Sequence, residues 1–441
     1  MSLTNNATKP KLFTGSDLNV NSSQICNQAL SIVRQLSTKK FAAYLVGGAV
    51  RDLILKIEPK DFDIVTDATP TQIKKIFLSS KIIGRRFQIV HVQQDKKIFE
   101  VSTFQSKEMI KANWRMSNSK KNVQNTERFF DGKLSIIKED AFRRDLSINA
   151  LYYDPLEDKI IDFTDGVADL NKKHLRILGS PGNRFREDPV RILRVIRVSA
   201  KLGFTIPPKI EKQIKKKLNL LKDVSKARLF DEILKTFLLG YGLNALKVMK
   251  EFNGLNIFIY DNPSRIRSKN TAKLYEILLA STDLRVQQKK YVSPHFLFAV
   301  LLWPSLMKEI SKVNNKKLTV IKTLDIASRK LFDKECLLVS IPKRYVFKIL
   351  DMWRMHLQLL MPNPKRVDAM LKHRSFRSAY DFILIREAVG EELQNLGAWW
   401  TEIQNHVGIN QEKDIRKKSS NNRSCSLDTE FYNLKNLLLL G

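Results

Sequence analysis

The stretch AYLVGGAVRDLILKIEPKDFDIVTDATP, residues Ala43–Pro70, decides the fold of the N-terminal part of this 441-residue chain. A short apolar run, Tyr44–Val46, predicts a strand that leads into Gly47 and Gly48. A helix that carries Arg51 follows, and a second strand comes after it. Glycines let the backbone approach a phosphate closely, and the N-terminus of the next helix adds N–H donors and a partial positive charge. The turn therefore predicts a phosphate-binding loop in an α/β domain.

Two aspartates in the second strand form the other half of the pattern. Asp61 and Asp63 are two residues apart, so their side chains share one strand face while Phe62 and Ile64 point into a core. Adjacent carboxylates repel unless cations lie between them, and hard oxygen ligands suit magnesium. The pair therefore predicts a divalent metal site. Each half alone is equally consistent with a tight turn and two solvated aspartates, but the combination favours a site that holds a triphosphate.

Composition narrows the class of protein. The hydrophobic content of 43% excludes global disorder, and 441 residues allow about two to four packing units. Lys and Arg number 77 against 45 Asp and Glu, and the net charge of +32 favours polyanionic partners, nucleic acid above all. A membrane surface is the competing interpretation. The longest apolar run, Phe296–Trp303, is far shorter than the ~18 residues of a membrane span.

The remaining compositional signals concern location and zinc. The N-terminal MSLTNNATKPK lacks the apolar core of a secretion signal, so a cytoplasmic location is expected. The three cysteines, Cys26, Cys336 and Cys425, are far apart, which fits free thiols in a reducing compartment. The six histidines form no HxxxH or HD pair, which argues against a zinc enzyme.

The organising stretch resembles the signature of the class II nucleotidyltransferases, the superfamily of bacterial poly(A) polymerases and CCA-adding tRNA nucleotidyltransferases. The resemblance implies that the glycines contact the triphosphate and that the two aspartates hold two Mg²⁺ ions. By position, these roles fall on Gly47, Gly48, Arg51, Asp61 and Asp63.

A third acid follows in the next predicted strands, 87–93 and 98–104. The family carries a further acidic group beside the metal pair, and the resemblance assigns that role to Glu100. A solvent-facing strand glutamate is the alternative.

A second motif, EDAFRRDLSINALYYD, occupies residues 139–154 and is similar to the family's RRDFTINA motif. Leu146 and Ser147 replace the usual Phe and Thr. The resemblance implies that Arg144, Asp145 and Asn149 hold the ribose and the phosphates of the nucleotide, with Asp145 counted among the catalytic residues. For Asp145 the alternative is a helix or turn cap.

A third motif, REDPVRILRVIRVSAKLGF, spans residues 186–204. Asp188 followed by Pro189 predicts an N-cap and a first helical residue. Apolar residues then recur at core-facing spacing, and Gly203 predicts the end of the helix.

The other side of this helix is basic, which usually means only a solvated face. The family's EDxxR motif selects the base, because a carboxylate and a guanidinium present donors and acceptors to a base edge. The resemblance assigns this role to Glu187, Asp188 and Arg191, and it brings Arg194 and Arg197 near the triphosphate.

The predicted architecture is an α/β nucleotidyltransferase head, built on a small mixed sheet with helices, followed by an all-α neck, body and tail. The expected segments are a mobile leader 1–22, a head 23–165, a neck 166–240, a body 241–410 and a disordered polar tail 411–441. A flexible loop is predicted over residues 106–133. Aromatic residues in the helical part could stack on RNA or fill the core: Tyr345, Trp353, Phe376, Tyr380, Trp399 and Trp400.

Two further stretches favour one branch of the superfamily. IGRRFQIVHV at residues 83–92 and the region 341–400 resemble bacterial poly(A) polymerases, although their arginine-rich C-terminal extension is expected to be absent. The predicted reaction is template-independent transfer of AMP from ATP to RNA 3′ ends by a monomer. The alternatives are CCA addition to tRNA and an RNA-binding protein without catalytic activity.

Overall fold

The protein forms two compact units in a computed structural model that describes residues 9–84, 88–104, 129–254, 268–313, 318–333 and 339–416. Unit 1 comprises Met1–Arg191 and Phe204–Ile214. Unit 2 comprises Ile192–Gly203 and Lys215–Gly441. The predicted strand at 87–93 and the IGRRFQIVHV stretch lie partly outside the described residues.

Unit 1 is built on one mixed sheet. Its strands are β1 Lys11–Thr14, β2 Ala43–Val46, β3 Asp63–Thr66, β4 Ser80–Ile83, β5 Ile89–Gln94, β6 Lys97–Thr103, β7 Leu151–Asp154 and β8 Lys159–Asp162. They form an eight-stranded sheet in the order β1-β8-β7-β2-β3-β6-β5-β4. Neighbouring strands are antiparallel, except that β3 and β6 are parallel. The predicted mixed sheet is confirmed.

The helices of unit 1 are α1 Asn27–Thr38, α2 Gly48–Ile54, α3 Pro70–Ile76, α4 Phe129–Arg143, α5 Gly166–Asn171 and α6 Pro181–Glu187. Helices α7 Val190–Leu202 and α8 Pro208–Lys217 belong partly to each unit. Local sequence fixes several of their ends. Thr69 and Gln72 form the capping box that starts α3, with Pro70 as its first residue.

Three predicted boundaries are corrected. Part of the predicted leader is ordered, because Lys11–Thr14 pairs with β8 and Lys11 Nζ lies 2.7 Å from Asp165 Oδ1. Residues 105–128 of the predicted loop lie outside the described residues, but the helix α4 already begins at Phe129. Unit 1 extends beyond residue 165, because the N–H of Leu178 donates to the carbonyl of Asp145.

Among the described residues of unit 2, all regular secondary structure is helical. Its further helices are α9 Lys226–Phe237, α10 Gly242–Glu251, α11 Lys269–Gln287, α12 Pro294–Leu301, α13 Trp303–Ser311, α14 Val320–Asp333, α15 Lys343–Leu360, α16 Val367–Leu371, α17 Phe376–Val389 and α18 Leu396–Arg416. The α-helical second part is therefore confirmed. The predicted disorder is wrong for residues 411–416, which continue α18. None of the described helices combines the length and the apolar character that crossing a membrane requires.

Most of the aromatic residues considered for RNA stacking fill the core of unit 2. Trp353 and Trp400 are fully buried, and their indole N–H groups donate to the carbonyls of Ala299 and Leu359, each at 3.1 Å. Phe376 and Tyr380 are also buried. Among the six, only two others keep exposed surface: Tyr345 is half-buried and Trp399 is 36% exposed. The core interpretation therefore holds for four of these aromatics.

Candidate active site

The glycine turn joins β2 to α2, as the sequence predicts. Gly47 has φ of +78°, a conformation that favours glycine over other residues. A Cβ atom placed on Gly47 would lie 3.7 Å from Arg144 Nη1 and 3.8 Å from Asp63 Oδ2. The first glycine, the second aspartate of the pair and the arginine of the second motif therefore meet at one point.

The aspartate pair lies at the beginning of β3. Asp63 is the first residue of the strand, and Asp61 precedes it. Both side chains are exposed, whereas Phe62 and Ile64 between and after them are 8% and 0% exposed. The predicted alternation is confirmed, and the two carboxylates are directed away from the core.

Glu100 lies on the neighbouring strand. Strands β3 and β6 are parallel, and Ile64 of β3 lies beside Val101 of β6. One residue earlier in both strands, the same register places Asp63 beside Glu100. Side chains at matched positions of adjacent strands share a face. Glu100 is 55% exposed and lies 3.8 Å from His91 Nε2. The register thus supports the predicted third acid.

This acidic face suits magnesium better than a metal that needs a closed set of protein ligands. Among the described residues, no three His, Cys, Asp or Glu side chains are gathered as a ready-made metal site. Mg²⁺ is commonly held by one or two carboxylates, with water and substrate phosphates completing its coordination. Two exposed carboxylates, Asp61 and Asp63, with Asp63 beside the glycine turn, fit that coordination.

Arg51 is placed differently from the other predicted nucleotide ligands. It is 5% exposed, and its Nε and Nη2 donate to Asp52 Oδ1 at 2.9 and 2.7 Å. Its Nη1 donates to Asn149 Oδ1 at 2.7 Å. Its Nη2 also lies 3.3 Å from the position of a Cβ on Gly48. Arg51 therefore links the glycine turn to Asn149 of the second motif, and its contact with a triphosphate remains a prediction.

Arg144 is held by two residues that the sequence analysis did not identify. Its Nε and Nη2 lie 3.3 and 3.1 Å from Asp140 Oδ2, and its Nε donates to the Tyr152 hydroxyl at 3.0 Å. The spacing of Asp140 and Arg144, four residues apart at the end of α4, could have indicated the ion pair. The contact with Tyr152 depends on how β7 packs, which no local pattern indicates.

Asp145, Glu187 and Arg191 form one cluster. Arg191 Nε lies 2.5 Å from Asp145 Oδ1, and Arg191 Nη1 lies 3.0 Å from Glu187 Oε2. The hydrogen bond from Arg191, supported by the charge of Arg184, lowers the pKa of Glu187 although desolvation acts in the opposite direction. Sequence reasoning missed Arg184, which also donates to the backbone carbonyl of Arg144. Two predicted acids thus fix the predicted base-selecting arginine.

Asp188 performs the capping role that its position predicts. Its Oδ1 accepts the N–H of Val190 at 3.3 Å, and its carbonyl accepts the N–H of Arg191. It separates α6 from α7, so Glu187 and Arg191 lie on successive helices. The helix α7 ends before Gly203, which has φ of +67°, as predicted.

Arg194 and Arg197 meet a buried acid of unit 2. Arg194 Nε lies 3.8 Å from Glu232 Oε1, and Arg197 Nη1 lies 3.4 Å from Glu232 Oε2. Glu232 is on α9 and is 5% exposed. The spacing of three residues puts both arginines on one side of α7. Their approach to a triphosphate stays a prediction.

Three known protein families match successive segments of the chain. The family described as Poly A polymerase head domain matches residues 43–176. The probable RNA and SrmB-binding site of polymerase A matches residues 203–261, and the polymerase A arginine-rich C-terminus matches residues 316–428. The C-terminal family match supports the predicted likeness of region 341–400 to poly(A) polymerases, whereas residues 401–441 contain only Arg416 and Arg423, so the expected absence of a strongly arginine-rich extension stays a prediction.

Individual relatives agree with the family matches. Poly(A) polymerase I of Escherichia coli is 36% identical over 387 residues, which cover 86% of this chain and 83% of the relative. A CCA-adding enzyme of Bacillus pumilus is 29% identical and covers 69% of this chain and 68% of its own. Among solved structures, a CCA-adding enzyme in complex with CTP has a TM-score of 0.56 at 20% identity and covers 97% of this chain and 94% of its own. That structure supports the fold.

Proposed function

The chain belongs to the poly(A) polymerase family of nucleotidyltransferases, and we propose that it adds AMP from ATP to RNA 3′ ends without a template. The observation that carries the proposal is that Arg144 Nη1 and Asp63 Oδ2 both lie beside Gly47, at 3.7 and 3.8 Å from the position that a Cβ atom would take there. A glycine turn, a carboxylate and a guanidinium are the groups that a metal-bound triphosphate requires. RNA polyadenylation would serve RNA processing and turnover.

The reaction joins the RNA 3′ oxygen to the α-phosphorus of ATP. The bond from that phosphorus to the bridging oxygen breaks, pyrophosphate leaves, and the hydroxyl proton passes to solvent. Such a transfer needs positioning and neutralisation of charge more than covalent chemistry by the protein. Arg144 and the glycine turn would bind the phosphates, and the cluster of Asp145, Glu187 and Arg191 would orient the nucleoside.

Asp61 and Asp63 would hold Mg²⁺, whose charge would lower the pKa of the 3′ hydroxyl and offset the negative charge of the leaving pyrophosphate. Two ions and the further acid Glu100 follow from the resemblance. Asp188 is proposed to act with Arg191 in base selection, and Arg194 and Arg197 to approach the triphosphate. A monomeric state and a cytoplasmic location stay predictions.

The deciding experiment offers the protein one nucleotide at a time with two RNAs. On an unstructured RNA with ATP and Mg²⁺, we expect a long homopolymeric tail. If the enzyme requires CTP and stops after CCA on a tRNA, it is a CCA-adding enzyme instead.

A catalytically silent RNA-binding protein is the alternative of another class. It would bind RNA but incorporate none of the four nucleotides. The exposed positions of Asp61, Asp63 and Glu100 disfavour this alternative, because acids on one face serve no evident purpose in RNA binding.

A further inference from the structure

We propose that Asp140 and Tyr152 are positioning residues that direct Arg144 Nη1 at the triphosphate of the incoming nucleotide. This inference rests on the proposed function. It assigns a role to two buried residues of the second motif, and it distinguishes Arg144 from Arg51, the other arginine beside the glycine turn.

The three side chains form a closed set of hydrogen bonds. The Tyr152 hydroxyl donates to Asp140 Oδ2 at 2.6 Å and accepts from Arg144 Nε at 3.0 Å. Arg144 Nη2 donates to the same Asp140 oxygen at 3.1 Å. Asp140 and Tyr152 are 5% and 0% exposed, so neither can exchange these bonds for water at low cost. The guanidinium is therefore held along its Nε and Nη2 edge.

The Nη1 end of the guanidinium is placed differently. All the hydrogen bonds described for Arg144 use Nε and Nη2, whereas Nη1 is the nitrogen that lies 3.7 Å from the Cβ position of Gly47. The Arg144 side chain is 24% exposed, more than the 7% of its partner Asp140. A guanidinium nitrogen held in place beside a glycine turn is suited to bind a phosphate oxygen.

Arg51 provides the contrast within the same site. Each of its three guanidinium nitrogens already donates to Asp52 or Asn149. Three N–H groups of Arg51 thus hold Asp52 and Asn149, whereas Arg144 has a nitrogen, Nη1, that takes part in none of its described hydrogen bonds. Burial lowers the pKa of Arg144, but Tyr152 and Asp140 raise it by more, so the guanidinium stays charged.

Adjacent tyrosines on β7 provide a matched test. Tyr152→Phe removes the hydroxyl that fixes Arg144 but keeps the ring that packs against Tyr44 and Phe104. The control is Tyr153→Phe, which removes the hydrogen bond from the next tyrosine to Asp158 at 2.9 Å. For each protein we would measure kcat/KM for ATP, the affinity for pyrophosphate by calorimetry, and the unfolding temperature.

We expect Tyr152→Phe to lower kcat/KM for ATP and the affinity for pyrophosphate by about tenfold each. This is the loss expected when one hydrogen bond to a charged group is removed. Asp140→Asn should cause a larger loss in both. Tyr153→Phe should leave both near wild type, and both tyrosine variants should unfold at similar temperatures. Equal losses in the two tyrosine variants, or an unchanged pyrophosphate affinity in Tyr152→Phe, would overturn the inference.

The proposed function can fail separately. If the wild type incorporates no AMP, the proposed function is refuted. The positioning of Arg144 is still tested in that case, because pyrophosphate binding is measured without turnover.

Discussion

Unit 1 has two acidic clusters, one with exposed carboxylates and one whose carboxylates form ion pairs with an arginine. Asp61 and Asp63 are exposed at the start of β3, on a face without a ready-made ligand set among the described residues. Asp145 and Glu187 lie within 3.0 Å of Arg191. Under the proposed function, the first cluster would bind cations that arrive with the substrate, whereas both acids of the second cluster already pair with Arg191. Chemistry should depend on the first, and choice of nucleotide on the second.

The largest effect is expected at the exposed cluster. Asp63→Ala, or Asp61→Ala, should abolish AMP incorporation without lowering the unfolding temperature, because an exposed side chain contributes little packing. The matched control is Phe62→Ala between them, which should destabilise the protein by about 3–5 kcal/mol, the usual cost of truncating a buried phenylalanine. Incorporation near the wild-type rate by Asp63→Ala would contradict the proposed metal role.

Replacing one carboxylate of each cluster by its neutral amide tests whether the two clusters differ in function. Asp63→Asn should be nearly as damaging as Asp63→Ala, because a neutral amide cannot offset divalent charge. Glu187→Gln keeps an acceptor for Arg191, so kcat/KM for ATP should fall by less than about tenfold, the scale of one exposed charge pair. Steady-state kinetics of the two purified variants, side by side, test this difference. Equal losses would show that both clusters act through charge alone.

Nucleotide choice should separate two arginines of α7. Arg191→Ala should lower ATP use and reduce the preference for ATP over CTP, GTP and UTP by roughly 1–3 kcal/mol, the value of a base contact. Arg194→Ala should weaken all four nucleotides together, because the triphosphate is common to them. The measurement is kcat/KM for each nucleotide. A uniform loss in Arg191→Ala, with its ATP preference intact, would return that residue to a structural or phosphate-binding role.

The smallest effect concerns RNA affinity. With a net charge of +32, log affinity should fall linearly with log salt, by about 0.7 per phosphate neutralised on single strands. Asp63→Asn, measured without Mg²⁺, should leave this slope unchanged, since an acid releases no counterions from RNA. A flat profile for the wild type would mean that the excess charge serves another purpose.

Local sequence was sufficient for much of unit 1. The Thr69 capping box, the end of α7 at Gly203 and the alternation around Asp63 follow from steric rules that act over a few residues. The edge strand β1 could not be predicted in this way. Its four residues have no pattern of their own and gain their hydrogen bonds from β8, far along the chain.

In unit 2 as well, local sequence does not predict which residues pack together. Trp353 and Trp399 are both aromatic residues in helices, but one is fully buried and the other is 36% exposed. Helical periodicity identifies an apolar face without identifying the helix that covers it. Which aromatics remain available for RNA was therefore settled by the packing of unit 2.

The sequence by itself determined that a glycine turn, an outward-facing aspartate pair and a basic helix exist, because strand alternation and helix ends depend on nearby residues. Only the tertiary structure decided which partners each charged group has. Arg51 and Arg144 both follow recognisable motifs, but Arg51 is bonded to Asn149, 98 residues away, while Arg144 keeps Nη1 beside Gly47. The physical reason is that hydrogen-bond partners are set by which distant segments pack together, and a donor's function depends on whether those partners leave it available.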